Sequence, residues 1–287
     1  MPGNTESNEK IRQLFESFYG SLDGMEQVEL WPDGAPNMIA DDNQRSPRVA
    51  FTPKTADKRG MVIICPGGGY YMKVVYEGRC VAEAFRAKGF NTAVLDYRCQ
   101  PYTPHNALQD AQRAIRLVRE NAERLNADPE KIAIGGFSAG GHLSGLAGTH
   151  FDAGDAGSSD PVERNNCRPD AVIQCYGTVS ILESGKTIIG DVLPDELAYL
   201  NPEYNVTPQT PPFFMWTTRD DCVVDVRWAY NMANALGVHK IPYELHVFPY
   251  GHHSLGLADG SSPVEPANPH IMHWVNLAAE FLTIQGF

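Results

Sequence analysis

The stretch KIAIGGFSAGGHLSG, residues 131–145, joins an apolar run to a glycine-rich segment. KIAIGGF has the composition of a buried strand and AGGHLSGLAGTH that of a helix, so Ser138 falls in the turn between them. The turn matches the G-x-S-x-G pattern over Gly136–Gly140. In so tight a strand-to-helix turn the backbone of the serine is strained, and flanking glycines avoid side-chain collisions with neighbouring elements. The sequence therefore predicts a serine hydroxyl presented at the edge of a sheet.

Apolar runs of strand length alternate with amphipathic segments along most of the chain. The predicted strands are 61–65, 91–98, 131–137, 170–177, 211–218 and 243–249, preceded by the shorter VELWP and RVAFTP; the predicted helices are 80–88, 107–125, 139–150, 228–236 and 273–284. Such alternation indicates an α/β protein with a mostly parallel sheet covered by helices on both faces. Functional residues gather at the carboxyl ends of such strands, which places 67–71, 220–225 and 249–254 beside Ser138.

An attacking serine needs N–H donors for the oxyanion that its attack creates. Ala139 begins the helix, so its backbone N–H has no partner within that helix. Gly68 and Gly69 follow a strand in CPGGGYY and are candidates for the second donor, as in the HGGG-type loops of lipases and esterases. A phosphate-binding loop is excluded because neither G-x-G-x-x-G nor a Walker lysine is present. Tyr70 and Tyr71 are candidates for stacking on a sugar or an aromatic ring of the substrate.

Serine at its ordinary pKa is a weak nucleophile and needs a base that is held by a carboxylate. In enzymes whose G-x-S-x-G serine lies at the edge of a mostly parallel sheet, the three residues follow one another along the chain as serine, acid and histidine. Two clusters after predicted strands contain the candidates, which are Asp220, Asp221 and Asp225 for the acid and His252 and His253 for the base. Chain order alone leaves the choice within each cluster open.

The composition is that of a globular protein, with 287 residues, 43% hydrophobic and 20% charged. A net charge of -12 disfavours binding to nucleic acids and to anionic membranes. No apolar run reaches the roughly 20 residues that cross a bilayer, and the N-terminus lacks a secretory pattern. The six cysteines are scattered without a C-x-x-C pair, which fits a reducing compartment. We therefore expect a cytoplasmic protein, with a secreted protein whose signal has been removed as the alternative.

The chain shows no linker that would divide it into several domains. Residues 1–28 are predicted to be a poorly constrained leader with one helical stretch, Glu9–Tyr19, and residues 29–287 to be the catalytic domain. Residues 178–208 lack strong periodicity and are predicted to pass over the sheet edge. His142 is expected to pack beneath the turn, and the other histidines and the cysteines lack metal-ligand spacing, so neither a metal nor a cofactor is expected.

Long segments in matching order resemble α/β-hydrolases of the carbohydrate-esterase kind, related to acetyl xylan and feruloyl esterases. They are LWPDGAP, VIICPGGGY, YEGRCVAEAFRAKGF, LQDAQRAIRLVR, GGFSAGGHLS, RPDAVI, PPFFMW, DDCVV and ELHVFPYGHHSLGL. The resemblance implies the α/β-hydrolase fold. It also implies that the acid is Asp221, the first residue of a D-x-x-V stretch, and that the base is His253, which precedes a small residue and then Leu-Gly. The chain departs from the usual family pattern at Thr217, Asp225 and His252, none of which belongs to the implied triad.

The resemblance also implies hydrolysis of a carboxylic ester through an acyl-enzyme, without a metal or cofactor. Its expected substrates are small or oligosaccharide esters, in particular acetylated or feruloylated xylan fragments. Tyr70, Tyr71, Glu77, Arg79 and residues 178–208 are unranked candidates for shaping the pocket. The alternatives are a serine peptidase or amidase, which the lack of a β-propeller sequence disfavours, and a non-catalytic binding protein, which the complete set of three residues disfavours.

Overall fold

The computed structural model describes residues 5–39, 44–177 and 194–287. The strands are β1 (Glu26–Glu29), β2 (Arg48–Phe51), β3 (Arg59–Cys65), β4 (Asn91–Asp96), β5 (Ala127–Phe137), β6 (Ala171–Cys175), β7 (Phe213–Thr218) and β8 (Tyr243–Phe248). The helices are α1 (Thr5–Ser21), α2 (Arg79–Arg86), α3 (Pro104–Glu120), α4 (Ala139–Thr149), α5 (Pro194–Tyr199), α6 (Arg227–Val238), α7 (Pro269–Met272) and α8 (Trp274–Ile284). The described strands form one sheet in the order β1-β2-β4-β3-β5-β6-β7-β8.

Strand β5 lies in the middle of the sheet and carries the predicted serine at its carboxyl end. Its Ile134 is paired with Ile63 of β3 on one side and Val172 of β6 on the other. The strands from β4 to β8 in the sheet order pair in parallel, whereas β1 and β2 are antiparallel. The predicted mostly parallel sheet is therefore confirmed, and its central strands β6 and β7 are buried along their whole length because both faces of the sheet are covered.

Two hydrophobic cores lie on opposite faces of the sheet. Helices α3, α4 and α6 contribute to one, and α2 and α8 contribute to the other. In the second core the buried rings of Trp216 and Trp274 stack with their centroids 5.4 Å apart. In the part of the chain that the structure describes, no helix combines the length and apolarity needed to cross a membrane.

The N-terminal helix α1 is longer than the predicted Glu9–Tyr19 and contributes side chains to both hydrophobic cores. Phe15 is buried in one core, and Phe18 and Leu22 are buried in the other. Burying such side chains stabilises the fold by about 1.5–3 kcal/mol each. The expectation of a poorly constrained leader is therefore wrong for these residues. The apolar spacing was visible in the sequence, but the surface that accepts it is formed by distant strands.

Helix α3 begins earlier than the predicted 107–125, because Thr103 and Asn106 form a capping box and Pro104 takes the first helical position. The helix also ends earlier, at Glu120. Arg98 forms an ion pair at 2.8 Å with Asp110 of this helix, both side chains being almost completely buried. This pair links α3 to the segment that follows β4.

Glu203 makes the stability of the fold depend on pH. Its Oε2 is buried, and no hydrogen-bond partner for it lies among the described residues. Burial raises the pKa of Glu203 from 4.5 to about 7. This carboxyl group holds its proton more tightly in the folded chain than in the unfolded one. Below about pH 4.5 it is protonated in both states and does not weaken the fold. As the pH rises from there to about 7, the free energy of unfolding falls, because the unfolded chain ionises this group more easily.

We therefore expect Glu203→Gln to raise the melting temperature at pH 8 and to change it little at pH 5. The gain at pH 8 corresponds to roughly 3 kcal/mol at most. Thermal unfolding at the two pH values measures it, with Glu123→Gln, a change at an exposed glutamate, as the control. An equal change at both pH values would contradict the assignment.

Candidate active site

The backbone of Ser138 has the strained conformation predicted for the turn between β5 and α4. Its φ is 50° and its ψ is -117°, a combination that non-glycine residues rarely adopt. A Cβ added at Gly136 would collide with the Gly140 carbonyl, and one added at Gly140 would collide with the Cys65 carbonyl. The two flanking glycines are therefore required for the close approach of neighbouring backbone, as the motif predicts.

Three of the predicted side chains form a continuous hydrogen-bonded chain. The Ser138 hydroxyl donates to His253 Nε2 over 2.8 Å, and His253 Nδ1 donates to Asp221 Oδ2 over 2.7 Å. Ser138 and His253 are largely buried, and the Asp221 side chain is 1% exposed. The residues follow β5, β7 and β8, whose carboxyl ends meet at one edge of the sheet.

The Asp221 carboxylate is held in one orientation by its own loop. Its Oδ1 accepts hydrogen bonds of 2.8 Å from the backbone N–H groups of Val223 and Val224. This leaves Oδ2 directed at His253. A carboxylate in this position keeps the histidine proton on Nδ1 and leaves Nε2 free to accept a proton.

The other candidates for the acid and the base do not take part in this hydrogen-bonded chain. Asp220 accepts a hydrogen bond of 2.9 Å from the Gly251 N–H, and Asp225 forms an ion pair with Arg227. His252 is exposed. The structure therefore brings together the pair that the resemblance implied, Asp221 and His253.

The segment 66–74 between β3 and the 3₁₀ helix Val75–Glu77, here called the glycine loop, lies against Ser138. A Cβ on Gly67 would be 3.1 Å from the Ser138 Cβ. The Gly67 N–H is already bonded to Glu77, whereas the described residues provide no acceptor for the N–H of Gly68 or Gly69. Both have positive φ, 127° and 62°, which favours glycine. These two amides, with that of Ala139 at the start of α4, remain the candidates for holding an oxyanion.

Buried polar contacts fix the glycine loop to β4. The Lys73 ammonium donates to the Tyr97 carbonyl over 2.8 Å and pairs with Asp96 over 2.8 Å. The Tyr97 hydroxyl donates to the Pro66 carbonyl over 2.6 Å. Because Lys73 and Asp96 are nearly inaccessible to water, this pairing strongly restrains the loop beside Ser138.

Tyr70 does not face the substrate as predicted, since its side chain is only 2% exposed. Its hydroxyl donates to His142 Nδ1 over 2.8 Å, and His142 Nε2 donates to the Leu200 carbonyl over 2.7 Å. Burial lowers the pKa of His142 to about 4, so it is neutral and structural. Tyr70 is turned inward at φ 60°, while Tyr71 is half exposed and stays a candidate for substrate contact.

Glu77 and Arg79, the two other candidates for shaping the pocket, are not placed to line it. Glu77 is 0% exposed, and the Arg79 guanidinium donates to the Asp23 carbonyl over 2.9 Å. The predicted excursion lies in part outside the described residues, at 178–193; residues 194–208 contain α5 and a 3₁₀ helix, Pro202–Tyr204.

Sequence reasoning missed the surroundings of His253. The Tyr176 ring lies edge-on to the His253 ring, with centroids 5.0 Å apart. Its hydroxyl donates to Glu77 over 2.7 Å. Tyr176 directly follows β6 and so lies at the same sheet edge as Ser138, and this position could have indicated that it belongs to the site.

Within residues 5–39, 44–177 and 194–287, no group of three or more histidine, cysteine, aspartate or glutamate side chains is arranged to hold a metal ion. All six cysteines lie in these ranges and are free thiols. Burial raises the pKa of the Cys65 and Cys175 thiols, so both are protonated and unreactive at neutral pH.

The sequence model of the BD-FAE family matches residues 49–236, about two thirds of the chain. The chain belongs to the BD-FAE family. The matched range includes Ser138 and Asp221, and His253 lies beyond its end.

Curated relatives of this BD-FAE chain include xylan-related proteins. Endo-1,4-beta-xylanase B of Butyrivibrio fibrisolvens is 38% identical over 213 residues, covering 70% of this chain and 33% of its own length. Acetylxylan esterase of Xylanibacter ruminicola is 33% identical over 109 residues, covering 38% of this chain and 22% of its own length. The chain thus spans a third or less of the length of these two relatives.

A solved structure matches this BD-FAE chain over nearly its whole length. The acetyl ester-xyloside bifunctional hydrolase from Caldicellulosiruptor lactoaceticus has a TM-score of 0.85 and 37% identity, covering 91% of this chain and 97% of that one. These comparisons confirm the α/β-hydrolase fold and the resemblance to the acetyl xylan esterase group.

Proposed function

We propose that this protein is a serine carboxylic-ester hydrolase that works through an acyl-enzyme. The supporting observation is the hydrogen-bonded chain from Ser138 through His253 to Asp221, with the glycine loop against the serine. A serine hydroxyl beside a neutral imidazole whose other nitrogen is held by a carboxylate is equipped for nucleophilic catalysis.

In the first half of the reaction, His253 Nε2 takes the Ser138 proton as Oγ attacks the ester carbonyl carbon. The carbonyl oxygen becomes an oxyanion, which the N–H groups of Ala139 and of Gly68 or Gly69 stabilise. The tetrahedral intermediate then collapses, its bond to the alcohol breaks, and His253 donates the proton to the leaving alkoxide. The acyl group remains on Ser138.

In the second half, a water molecule replaces the alcohol. His253 takes one water proton while the oxygen attacks the acyl carbon, and the same amides hold the new oxyanion. Collapse releases the carboxylic acid, and the proton returns from His253 to Ser138. Throughout, Asp221 stays ionised, keeps His253 in the required tautomer and stabilises its cation.

The substrates that we propose are acetylated or feruloylated xylan fragments. The names of two relatives, an acetylxylan esterase and an acetyl ester-xyloside hydrolase, support an ester on a xylan sugar. The half-exposed Tyr71, next to the glycine loop, offers a ring face on which a sugar can stack.

The test is release of acetate from acetylated xylo-oligosaccharides and of ferulate from feruloylated arabinoxylan, with Ser138→Ala as the blank. We expect release of at least one acid well above the blank. Turnover of p-nitrophenyl acetate without either release would reject the xylan substrates and leave the ester hydrolase intact. Faster cleavage of peptide anilides than of matched esters would favour an amidase instead.

A further inference from the structure

Glu77 is a fully buried carboxylate beside the proposed active site. It ends the 3₁₀ helix Val75–Glu77 and is 0% exposed. Among the described residues it forms no ion pair with a lysine or arginine. Burying a carboxylate without a cation is costly unless hydrogen-bond donors surround it. Its environment therefore needs an explanation.

Three donors surround the Glu77 carboxylate. Oε2 accepts from the Gly67 N–H over 2.8 Å, and Oε1 accepts from the Tyr176 hydroxyl over 2.7 Å and the Ser254 hydroxyl over 3.1 Å. The Gly256 N–H donates to the Tyr176 oxygen over 2.8 Å, which directs the Tyr176 proton toward Glu77. A set made only of donors favours the ionised carboxylate.

Each donor belongs to a different segment of the site. Gly67 precedes the candidate oxyanion amides of Gly68 and Gly69. Tyr176 follows β6 and packs its ring edge-on to the His253 ring. Ser254 is the chain neighbour of His253. One carboxylate thus joins the loop facing the substrate carbonyl to the loop carrying the base.

Two of these donors have strained backbones. Tyr176 has φ 36° and Ser254 has φ 68°, in the left-handed region that side chains disfavour. Such conformations persist only where the surrounding contacts enforce them. The hydrogen bonds to Glu77 are contacts of this kind, because the hydroxyls of Tyr176 and Ser254 both donate to its buried Oε1.

The charge of Glu77 interacts with His253. The phenols of Tyr97 and Tyr176 and the thiols of Cys80 and Cys175 also interact with Glu77. Burial raises the pKa of all four, so they are neutral near pH 7. The pKa of Glu77 is raised above its ordinary value, because burial outweighs the opposing effects of its hydrogen-bond donors and of the charge on His253. Asp221 acts on His253 from its own loop.

We propose that Glu77 is a positioning residue of the active site, whose carboxylate fixes the glycine loop and the His253 loop around Ser138 and whose charge stabilises the His253 cation. This proposal rests on the serine mechanism proposed above. Glu77 does not touch the substrate. It acts through Gly67, Tyr176 and Ser254.

The test is Glu77→Gln, which keeps the size of the side chain and removes its charge. We expect kcat for p-nitrophenyl acetate to fall at least about tenfold with little change in KM, because reacting groups are misplaced and a favourable charge is lost. The acid limb of the pH–rate profile should move to lower pH, since an imidazolium that has lost a nearby anion releases its proton more easily.

A second substitution at Glu77 separates charge from shape, and a change on α2 provides a matched control. Glu77→Asp keeps the charge on a shorter side chain, so kcat should fall while the acid limb stays in place. Glu83→Gln makes the same chemical change on α2 at a solvent-accessible site paired with Arg86, and should leave both unchanged. If Glu77→Gln does not fold, as judged by circular dichroism, Tyr176→Phe removes one donor and keeps the ring. It should lower kcat several-fold without a change in KM.

A titration of the His253 ring protons by nuclear magnetic resonance provides a readout independent of turnover. In Glu77→Gln its midpoint should move to lower pH than in the wild type. A folded Glu77→Gln with wild-type kcat, acid limb and His253 titration would overturn the proposal. Absence of Ser138-dependent turnover in the wild type would instead reject the proposed function, while the titration would still report the effect of Glu77.

Discussion

Ser138→Ala is expected to lower kcat/KM for p-nitrophenyl acetate by about 10⁴-fold or more. The substitution removes the only atom that forms the acyl bond in the proposed mechanism and leaves the helix start intact. The Ser138 side chain is 9% exposed and makes its one described side-chain hydrogen bond to His253, so the fold should be retained. Steady-state hydrolysis and circular dichroism measure the two properties.

A matched control is available on the same helix. Ser144 is buried, and its hydroxyl donates to the Gly140 and Gly141 carbonyls rather than to the proposed triad. Ser144→Ala should therefore change kcat/KM by less than about threefold. Labelling with an aryl phosphonate, followed by mass spectrometry, should place the adduct on Ser138. Retained turnover in Ser138→Ala would reject the acyl-enzyme.

Asp221→Asn is expected to lower kcat by about 10⁴-fold with little change in folding. The Val223 and Val224 N–H groups require an acceptor at the position of Oδ1, so the asparagine carbonyl oxygen should take that place. Its NH₂ group would then face His253 Nδ1, which forces the proton onto Nε2. The histidine would hold the wrong tautomer and could not accept the Ser138 proton.

The neighbouring aspartates test the assignment of the acid. In Asp220→Asn the amide oxygen can still accept from the Gly251 N–H, and Asp225→Asn loses an ion pair with Arg227, but neither carboxylate contacts His253. Both variants should keep kcat within about tenfold of the wild type. Near wild-type kcat in Asp221→Asn together with a loss of about 10⁴-fold in Asp225→Asn would mean that the acid is Asp225.

The strand-to-helix turn was predictable because its causes are local. Gly136, Ser138 and Gly140 lie within five residues, and the close approach of their backbone defines the turn. The alternation of strands and helices was predictable for a similar reason, since burial on both faces leaves apolar runs in the chain. The choice of Asp221 and His253 needed more than spacing, and it came from the resemblance to a family.

Contacts between distant segments decided the rest. The chain itself shows that α1 is amphipathic, but not that Phe15 and Phe18 reach two cores on opposite faces of the sheet. It shows Tyr70 and Tyr71 side by side, but not which of them turns inward. Glu77 meets partners 10, 99 and 177 residues away. A periodic sequence pattern cannot predict contacts between residues so far apart in the chain, because only the folded sheet brings the ends of separate strands to one edge.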